Sequence, residues 1–233
     1  MFASGGPDGR LVHKALRSDP PRLAQSTTSW AGATKPSLHN LEFCDDADAV
    51  AAALRDGSDI GDRDRDGLTS LHVHALKGHL SVVHVLLEHD GVEIDAVDYR
   101  GRTALLLAAS RGQAAVVRAL LKRGTLVERR DDKGSTALYH ATAYGCLDSV
   151  RALLGAGADH ACAGEQLGWT ALHVAAWKGH TAVLEALLQA KADPRAQTHD
   201  GRTPLEMARG IDAIVDLLVS ALARTRPRHK ARA

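Results

Sequence analysis

Histidine is the side chain of this sequence that could most readily do chemistry, with 13 copies among 233 residues. The closest pair, His72 and His74, has the i, i+2 spacing that lets two imidazoles of one β-strand share a metal ion. The surrounding pattern is helical, however, and in a helix two residues at this spacing point about 200° apart. We therefore predict that this pair does not bind a metal ion, and the sequence contains no HExxH motif.

The cysteines do not suggest a nucleophile or a disulfide framework. Cys44, Cys146 and Cys162 are scattered without a paired spacing, and their odd number favours reduced thiols and an intracellular protein. None has a fixed histidine or acidic partner that would activate it. The sequence also lacks a Gly-rich phosphate loop and a GxSxG elbow. We predict no enzyme activity, no catalytic or metal-binding residue and no cofactor.

Bulk composition argues against nucleic acid and membranes as main partners. The formal net charge is +1, so the chain as a whole has no strong field that would attract an anionic polymer or surface. No apolar run approaches the roughly 18 residues that a membrane helix needs. We expect a cytoplasmic protein that is monomeric, and a nuclear location stays open because the last residues are basic.

A sequence repeat determines the secondary-structure elements that would position any functional site. The pattern Gly-x-Thr-x-Leu occurs five times, and the steps between its glycines are 34, 33, 34 and 33 residues. The five copies begin units 1 to 5, at Gly67, Gly101, Gly134, Gly168 and Gly201. A period of this length predicts stacked units that share one continuous core, rather than a single closed globule.

Each unit has the same internal order of residue types. Small residues follow Thr-x-Leu, then comes a second glycine, and then an apolar stripe such as Val116, Val117, Leu120 and Leu121. The spacing of this stripe places its members on one helical face. We therefore predict helix, glycine turn and helix in every unit, with the threonine capping the first helix. Glycines such as Gly124 are placed to end the second helix in a left-handed conformation.

This order of residues resembles the ankyrin repeat. The fourth unit, Gly168–His180, reads GWTALHVAAWKGH and is similar to the family pattern G-x-T-P-L-H-x-A-A-x-x-G-H. The second and third units have Leu106 and Tyr139 where that pattern has histidine. The resemblance implies an all-α ankyrin-repeat α-solenoid of antiparallel helix pairs with short β-hairpin loops. It also implies that His72 and His173 are structural hydrogen-bonding residues.

A weaker unit precedes the five. Leu38 and Leu54 are 16 residues apart, the interval between the corresponding leucines of the next four units. We therefore expect about five repeats plus a degenerate N-terminal capping repeat, within a domain at 34–222. The expected units lie near 34–63, 64–97, 98–130, 131–164, 165–197 and 198–222.

The two flanks do not repeat. Residues 1–33 are rich in Gly, Pro, Ser and Thr, and we expect them to be disordered. The sequence leaves open whether they hold a transit peptide. The tail at 223–233 holds five Lys or Arg residues between Arg224 and Arg232 and no acid. This tail fits a nuclear-import signal, a contact with nucleic acid or acidic lipid, or simply a solubilising helix end.

The resemblance also implies where a partner would bind, namely the concave surface made by residues beside the turn glycine and before the second glycine. These positions hold eight basic residues against three acids, and they hold Trp and Tyr, which dominate binding hot spots. The predicted partner-binding residues are Leu68, Leu76, Lys77, Tyr99, Arg100, Arg102, Arg111, Tyr144, Trp169, Trp177, Lys178 and Arg202.

The leading hypothesis is a non-enzymatic adaptor that binds an acidic or amphipathic segment of another protein in this groove. One alternative is a regulatory or substrate-positioning subunit of a larger enzyme complex. The other is a nucleic-acid-associated protein or a nuclear regulator that acts through the basic tail, and nucleic-acid binding would then depend strongly on salt.

Overall fold

All the regular elements in the described part of the chain are helices. The structure, a computed structural model, describes residues 38–41, 45–161, 168–208 and 210–224, which belong to the second of the chain's two units, Lys35–Ala233. A 3-10 helix at Leu38–Leu41 comes first. The α-helices are α1 Ala47–Arg55, α2 Ser70–Lys77, α3 Leu80–Glu88, α4 Ala104–Ser110, α5 Ala114–Lys122, α6 Ala137–Ala143, α7 Leu147–Gly155, α8 Ala171–Lys178, α9 Thr181–Gln189, α10 Pro204–Met207 and α11 Asp212–Arg224.

The helices form two layers. The first helices of successive units, α2, α4, α6, α8 and α10, contact one another in order. The second helices, α1, α3, α5, α7, α9 and α11, form the other layer in the same way. The core lies between the layers and repeats with the units. Each of the four full units contributes a second-helix leucine with 0% exposure: Leu86, Leu120, Leu153 and Leu187. The predicted α-solenoid is confirmed.

Threonine starts the first helix of every unit that begins with Gly-x-Thr. Thr103 has extended backbone, and its Oγ1 accepts a hydrogen bond from the backbone N–H of Leu106 at 3.4 Å. Thr69, Thr136, Thr170 and Thr203 hold the corresponding position. Because a helix start leaves unpaired N–H groups, a side-chain acceptor here fixes where each helix begins.

The second glycine of a unit is required for two reasons. Gly145 has φ +71°, a left-handed conformation that other residues adopt only with strain. A Cβ at this position would also lie 2.9 Å from the ring of His180 in the next unit. The glycine therefore both turns the chain and allows the next unit to pack closely.

The loops between units are tight turns rather than the expected β-hairpins. The carboxylate of Asp98 accepts the backbone N–H groups of Arg100 and Arg102, at 2.9 and 2.8 Å, and closes its turn. Neighbouring turns are joined by single backbone bonds, such as that from Tyr99 N–H to the carbonyl of Asp66 at 3.1 Å. One bond is too few to make a strand, and no described residue is assigned to one.

The last described unit is shorter than the others. Its first helix, α10, has four residues and begins with Pro204, where a missing N–H costs nothing. The chain reverses at Gly210, with φ +73°, and continues into α11. None of the described helices is long and apolar enough to cross a membrane. The predicted disordered segment 1–33 lies outside the described residues, as does nearly all of the basic tail.

Candidate partner-binding surface

All twelve residues that the sequence analysis assigns to partner binding are at least partly accessible. Seven are exposed: Lys77, Tyr99, Arg100, Arg111, Tyr144, Lys178 and Arg202. Five are half-buried: Leu68, Leu76, Arg102, Trp169 and Trp177. The structure distributes them over the turns and over the C-terminal ends of the first helices. Whether they contact a partner stays a prediction.

Four of the exposed residues form a row along the first-helix layer. Lys77 and Lys178 are the last residues of α2 and α8, and Arg111 and Tyr144 follow directly after α4 and α6. Because these helices pack side by side in order, the four side chains emerge from equivalent points of successive units. We refer to them as the helix-end row.

The structure brings together two aromatic residues that lie eight positions apart in the sequence. The rings of Trp169 and Trp177 have centroids 5.4 Å apart and meet edge to face at 80°. The ammonium group of Lys178 lies 4.3 Å from the centroid of Trp177. Both indoles also pack against the core, so they are held in place. We call these three residues the aromatic cluster, and Tyr144, with 66% exposure, belongs to the preceding unit.

Arg102 is less available to a partner than its position suggests. Its Nη2 lies 2.6 Å from a carboxylate oxygen of Asp98, whose side chain has 0% exposure. Burial opposes the ionisation of Asp98, but hydrogen bonds from Arg102 and from the backbone of Arg100 outweigh it and lower the pKa of this carboxyl. The pair holds the turn together. Comparing eight basic residues with three acids therefore overstates the positive charge of the surface, because Asp98 neutralises Arg102 and is not among the three acids.

Tyr99 combines exposure with a structural role. Its side chain is 74% exposed, yet its ring lies over Gly67 of the preceding turn. A Cβ on Gly67 would lie 2.7 Å from that ring. One face of Tyr99 therefore covers a neighbouring unit, and the other face is accessible.

His72 and His173 bridge neighbouring units, as the resemblance implies. The Nδ1 of His173 lies 3.1 Å from the backbone N of Thr170, and its Nε2 lies 2.9 Å from the carbonyl oxygen of Arg202 in the next unit. His72 makes the same contacts with Thr69 and Arg102. A carbonyl only accepts, so Nε2 carries the proton and Nδ1 accepts. Burial lowers the pKa of both histidines, which favours this neutral form.

The remaining cysteine and histidine side chains that could do chemistry are not arranged for catalysis or metal binding in the described residues. Burial raises the pKa of the Cys146 thiol, which disfavours the reactive thiolate. His74 lies in α2 with its Nδ1 3.0 Å from that of His79, the residue directly before α3. No group of three or more His, Cys, Asp or Glu residues within the described ranges is arranged to hold a metal ion.

The sequence analysis missed the acidic residues that close the turns. Asp64 and Asp131 each accept two backbone N–H groups of their turns, as Asp98 does, and the Nε2 of His140 also lies 2.8 Å from a carboxylate oxygen of Asp131. The signal was present, because each aspartate precedes its turn glycine by three positions.

Comparison with known proteins gives one family and several partial relatives. A family model described as ankyrin repeats in three copies matches residues 41–131, 91–164 and 160–228. A B-cell lymphoma 3 protein homolog from Mus musculus is 33% identical over 171 residues, covering 64% of this chain and 38% of the relative. A poly [ADP-ribose] polymerase tankyrase from Caenorhabditis elegans is 32% identical over 71% of this chain and 9% of its own length. A probable E3 ubiquitin-protein ligase XBOS31 from Oryza sativa subsp. japonica is 37% identical over 40% of this chain and 21% of its own length. The chain thus spans well under half of each of these relatives.

Proposed function

Because the chain belongs to the ankyrin repeat family, whose members are generally protein-protein interaction modules, we propose that it is a non-catalytic adaptor for another protein. The partner segment binds along the helix-end row and the aromatic cluster. The partner is an acidic or amphipathic segment, since the row contains Lys77, Arg111 and Lys178. The relatives named as enzymes match this chain over only part of their length, so their activities are not carried over.

The observation that supports this function best is the aromatic cluster. Trp169 and Trp177 are fixed by the core, so little conformational entropy is lost when a partner covers them. Trp, Tyr and Arg are the side chains that most often cost about 2 kcal/mol or more when an interface residue is truncated. Rigid indoles beside exposed cations are therefore suited to a peptide with both apolar and acidic residues.

The test is affinity capture from native lysate followed by mass spectrometry. The wild-type chain is compared with a Tyr144→Ala/Trp169→Ala/Trp177→Ala variant whose folding is checked by circular dichroism. We expect specific partners to be lost with this variant. The control is Leu126→Ala/Val219→Ala, which truncates exposed apolar residues elsewhere and should retain them. An identical partner list for wild type and the triple variant would contradict the proposal.

A second candidate is a substrate-positioning subunit of a ubiquitin ligase complex. It is favoured by the relative named as a probable E3 ubiquitin-protein ligase, although that match covers only 40% of this chain. This function predicts that captured material transfers ubiquitin to a co-captured protein in vitro. Material that contains partners but no transfer activity would favour the simple adaptor.

The third alternative concerns the basic tail, of which 225–233 lie outside the described residues. It predicts nucleic-acid binding that weakens steeply with salt and disappears when 224–233 are deleted. The same deletion should leave binding by the groove unchanged. A gel-shift titration of the deletion variant at two salt concentrations separates the two functions.

A further inference from the structure

We infer that the binding surface is divided into a cationic half over the first two full units and an aromatic half over the next two. It takes an extended protein segment that is acidic at one end and aromatic or apolar at the other. The inference rests on the proposed function, because it specifies the ligand of the same surface. It goes further by fixing the order of the ligand's residues and the distance between them.

The cationic half is defined by exposed side chains of units 1 and 2. Four exposed cations lie in the turns at 65–67 and 99–101 and at the ends of α2 and α4, where Asp66 is the one exposed acid. The cations are Arg65, Lys77, Arg100 and Arg111. Arg102 is not counted, since the buried carboxylate of Asp98 neutralises it. Carboxylates of a partner are favoured here by Coulomb attraction, and a segment with basic residues is disfavoured.

The aromatic half is defined by units 3 and 4. It contains Tyr144 and the aromatic cluster, and the exposed turn residues Asp132 and Lys133 offset each other in charge. In the adjoining turn of unit 5, Arg202 is paired with Asp200, Nε to carboxylate oxygen, at 2.8 Å. Ala143 holds in unit 3 the position that Trp177 holds in unit 4, so the residue at this point of the preceding helix is small. An apolar side chain that packs there covers aromatic surface without separating charges from water.

The contact between Lys178 and Trp177 excludes a cationic ligand at this half. Aromatic faces attract cations, and a site of two indoles could in principle hold a lysine or arginine of a partner. In this protein the ammonium group of Lys178 already lies 4.3 Å from the centroid of that ring. A second cation would meet it at close range. The aromatic half therefore favours an aromatic or aliphatic side chain over a basic one.

The stacking of the units sets the spacing within the ligand. Helices packed side by side are about 8–10 Å apart, so Arg111 and Trp177, two units apart, are separated by about 18 Å. An extended chain advances about 3.3 Å per residue, so about five or six residues span this distance. Lys77, one unit before Arg111, adds about three residues. The ligand is thus about nine residues long, with its carboxylates in one third and its anchor at the opposite end.

The test is selection of binders from a displayed library of random peptides of about 12 residues, which exceeds the span derived above. The bait is the full chain. We expect the enriched sequences to place Asp or Glu at one end and Trp, Phe, Tyr or Leu about five or six residues from the nearest acid. Inserting three residues (Gly-Ser-Gly) between the acidic and the apolar residues of a selected peptide should weaken binding about tenfold or more. The two ends would then no longer reach the cationic half and the aromatic half at the same time.

Two variants of the protein show which half of the surface binds each end of the selected peptides. Lys77→Glu/Arg111→Glu should abolish the preference for acids, and Tyr144→Ala/Trp177→Ala should abolish the preference for the apolar anchor. Each should weaken binding of a selected peptide about tenfold or more. The control is Arg118→Glu/Lys122→Glu, the same charge change on exposed residues of the second-helix layer, which should bind as wild type does.

The outcomes separate this inference from the function on which it rests. Binders that need the aromatic cluster but show acids and apolar residues in no fixed order would overturn the division of the surface and leave the adaptor function standing. Binders that tolerate both variants, or no enriched binders at all, would contradict the function and the inference together. Only ordered sequences that lose binding with both variants support the division.

Discussion

Two kinds of junction hold the described units together, and they differ by one side chain. Between units 1 and 2 and between units 4 and 5, a buried histidine donates to a carbonyl of the next unit. At the same position the other junctions have Leu106, which is buried, and Tyr139, which is half-buried. The second-helix leucines are fully buried at both kinds of junction: Leu86, Leu120, Leu153 and Leu187. The units therefore stack by apolar burial, and the first-helix histidine adds a hydrogen bond that two of the four junctions among units 1 to 5 do without. The junction between units 3 and 4 has instead a hydrogen bond from Nε2 of His180 to the carbonyl oxygen of Ala143, at 3.2 Å.

Unit 3 lies between the two junctions that lack the buried first-helix histidine, and it carries two further polar departures from the pattern. Thr142 stands where neighbouring units have Ala109 and Ala176, and its Oγ1 is buried without a hydrogen-bond partner. Ser149 stands where other units have valine, and its hydroxyl is in the same situation. A buried hydroxyl without a partner costs free energy. We therefore expect unit 3 to be less stable than units 2 and 4.

The largest expected effect tests whether apolar burial stabilises the stacked units more than the histidine hydrogen bond does. Leu120→Ala, in unit 2, should lower the free energy of unfolding by about 2–5 kcal/mol, because it opens a cavity in a fully buried site. Leu187→Ala, beside a histidine-bridged junction, should cost a similar amount. The measurement is equilibrium urea unfolding followed by circular dichroism. The control is Leu126→Ala, at a 55% exposed position, which should change little. Leu120→Ala with wild-type stability would contradict the stacked register.

The histidine bridge itself should have a smaller effect. His173→Leu turns a bridged junction into the kind seen at Leu106 and leaves the N–H of Thr170 without its acceptor. We expect a loss of about 1–3 kcal/mol, the usual cost of a buried polar group deprived of its partner. His84→Ala, on an exposed face of α3, serves as the control in the same unfolding assay. A variant as stable as wild type would mean that the bridge is energetically neutral.

Most of the fold follows from the repeat, because periodic residues have the same role in every unit. The threonine caps, the left-handed glycines and the leucine stripe depend only on positions within one unit, so the sequence predicts them. The pairing of Arg102 with Asp98 was not foreseen, since it depends on the geometry of one turn. The contact between Trp169 and Trp177 depends on how a turn folds back on its helix. The candidate surface was thus predictable as a set of positions, but its charge and its aromatic cluster were not.

The bridges also predict how stability responds to acid. Burial lowers the pKa of His72 and His173 below 6.5, so the unfolded chain takes up their protons first. Their contribution is complete above pH 6.5 and is lost as the pH falls from there towards their folded pKa values. The slope is at most about 1.4 kcal/mol per pH unit for each histidine.

Unfolding measured at a series of pH values from about 7 to about 5 checks this expectation. The double variant His72→Leu/His173→Leu should be less stable at neutral pH but should lose less stability on acidification than wild type. The carboxyl of Asp98, with its lowered pKa, acts below pH 3.8 and does not contribute in this window. Equal acid sensitivity in wild type and the double variant would assign the effect to other groups.

The smallest expected effect is an increase in the free energy of unfolding. Ser149→Val restores the residue found at this position in units 2 and 4, Val116 and Val183, both almost fully buried. It removes a buried hydroxyl that has no hydrogen-bond partner and adds apolar volume that the neighbouring units accommodate. We expect a gain of about 0.5–2 kcal/mol in urea unfolding. Ser149→Ala separates the two causes, because it removes the hydroxyl without adding volume. If the valine variant is less stable than the alanine variant, unit 3 is packed more tightly than its neighbours, and its serine is retained for steric reasons.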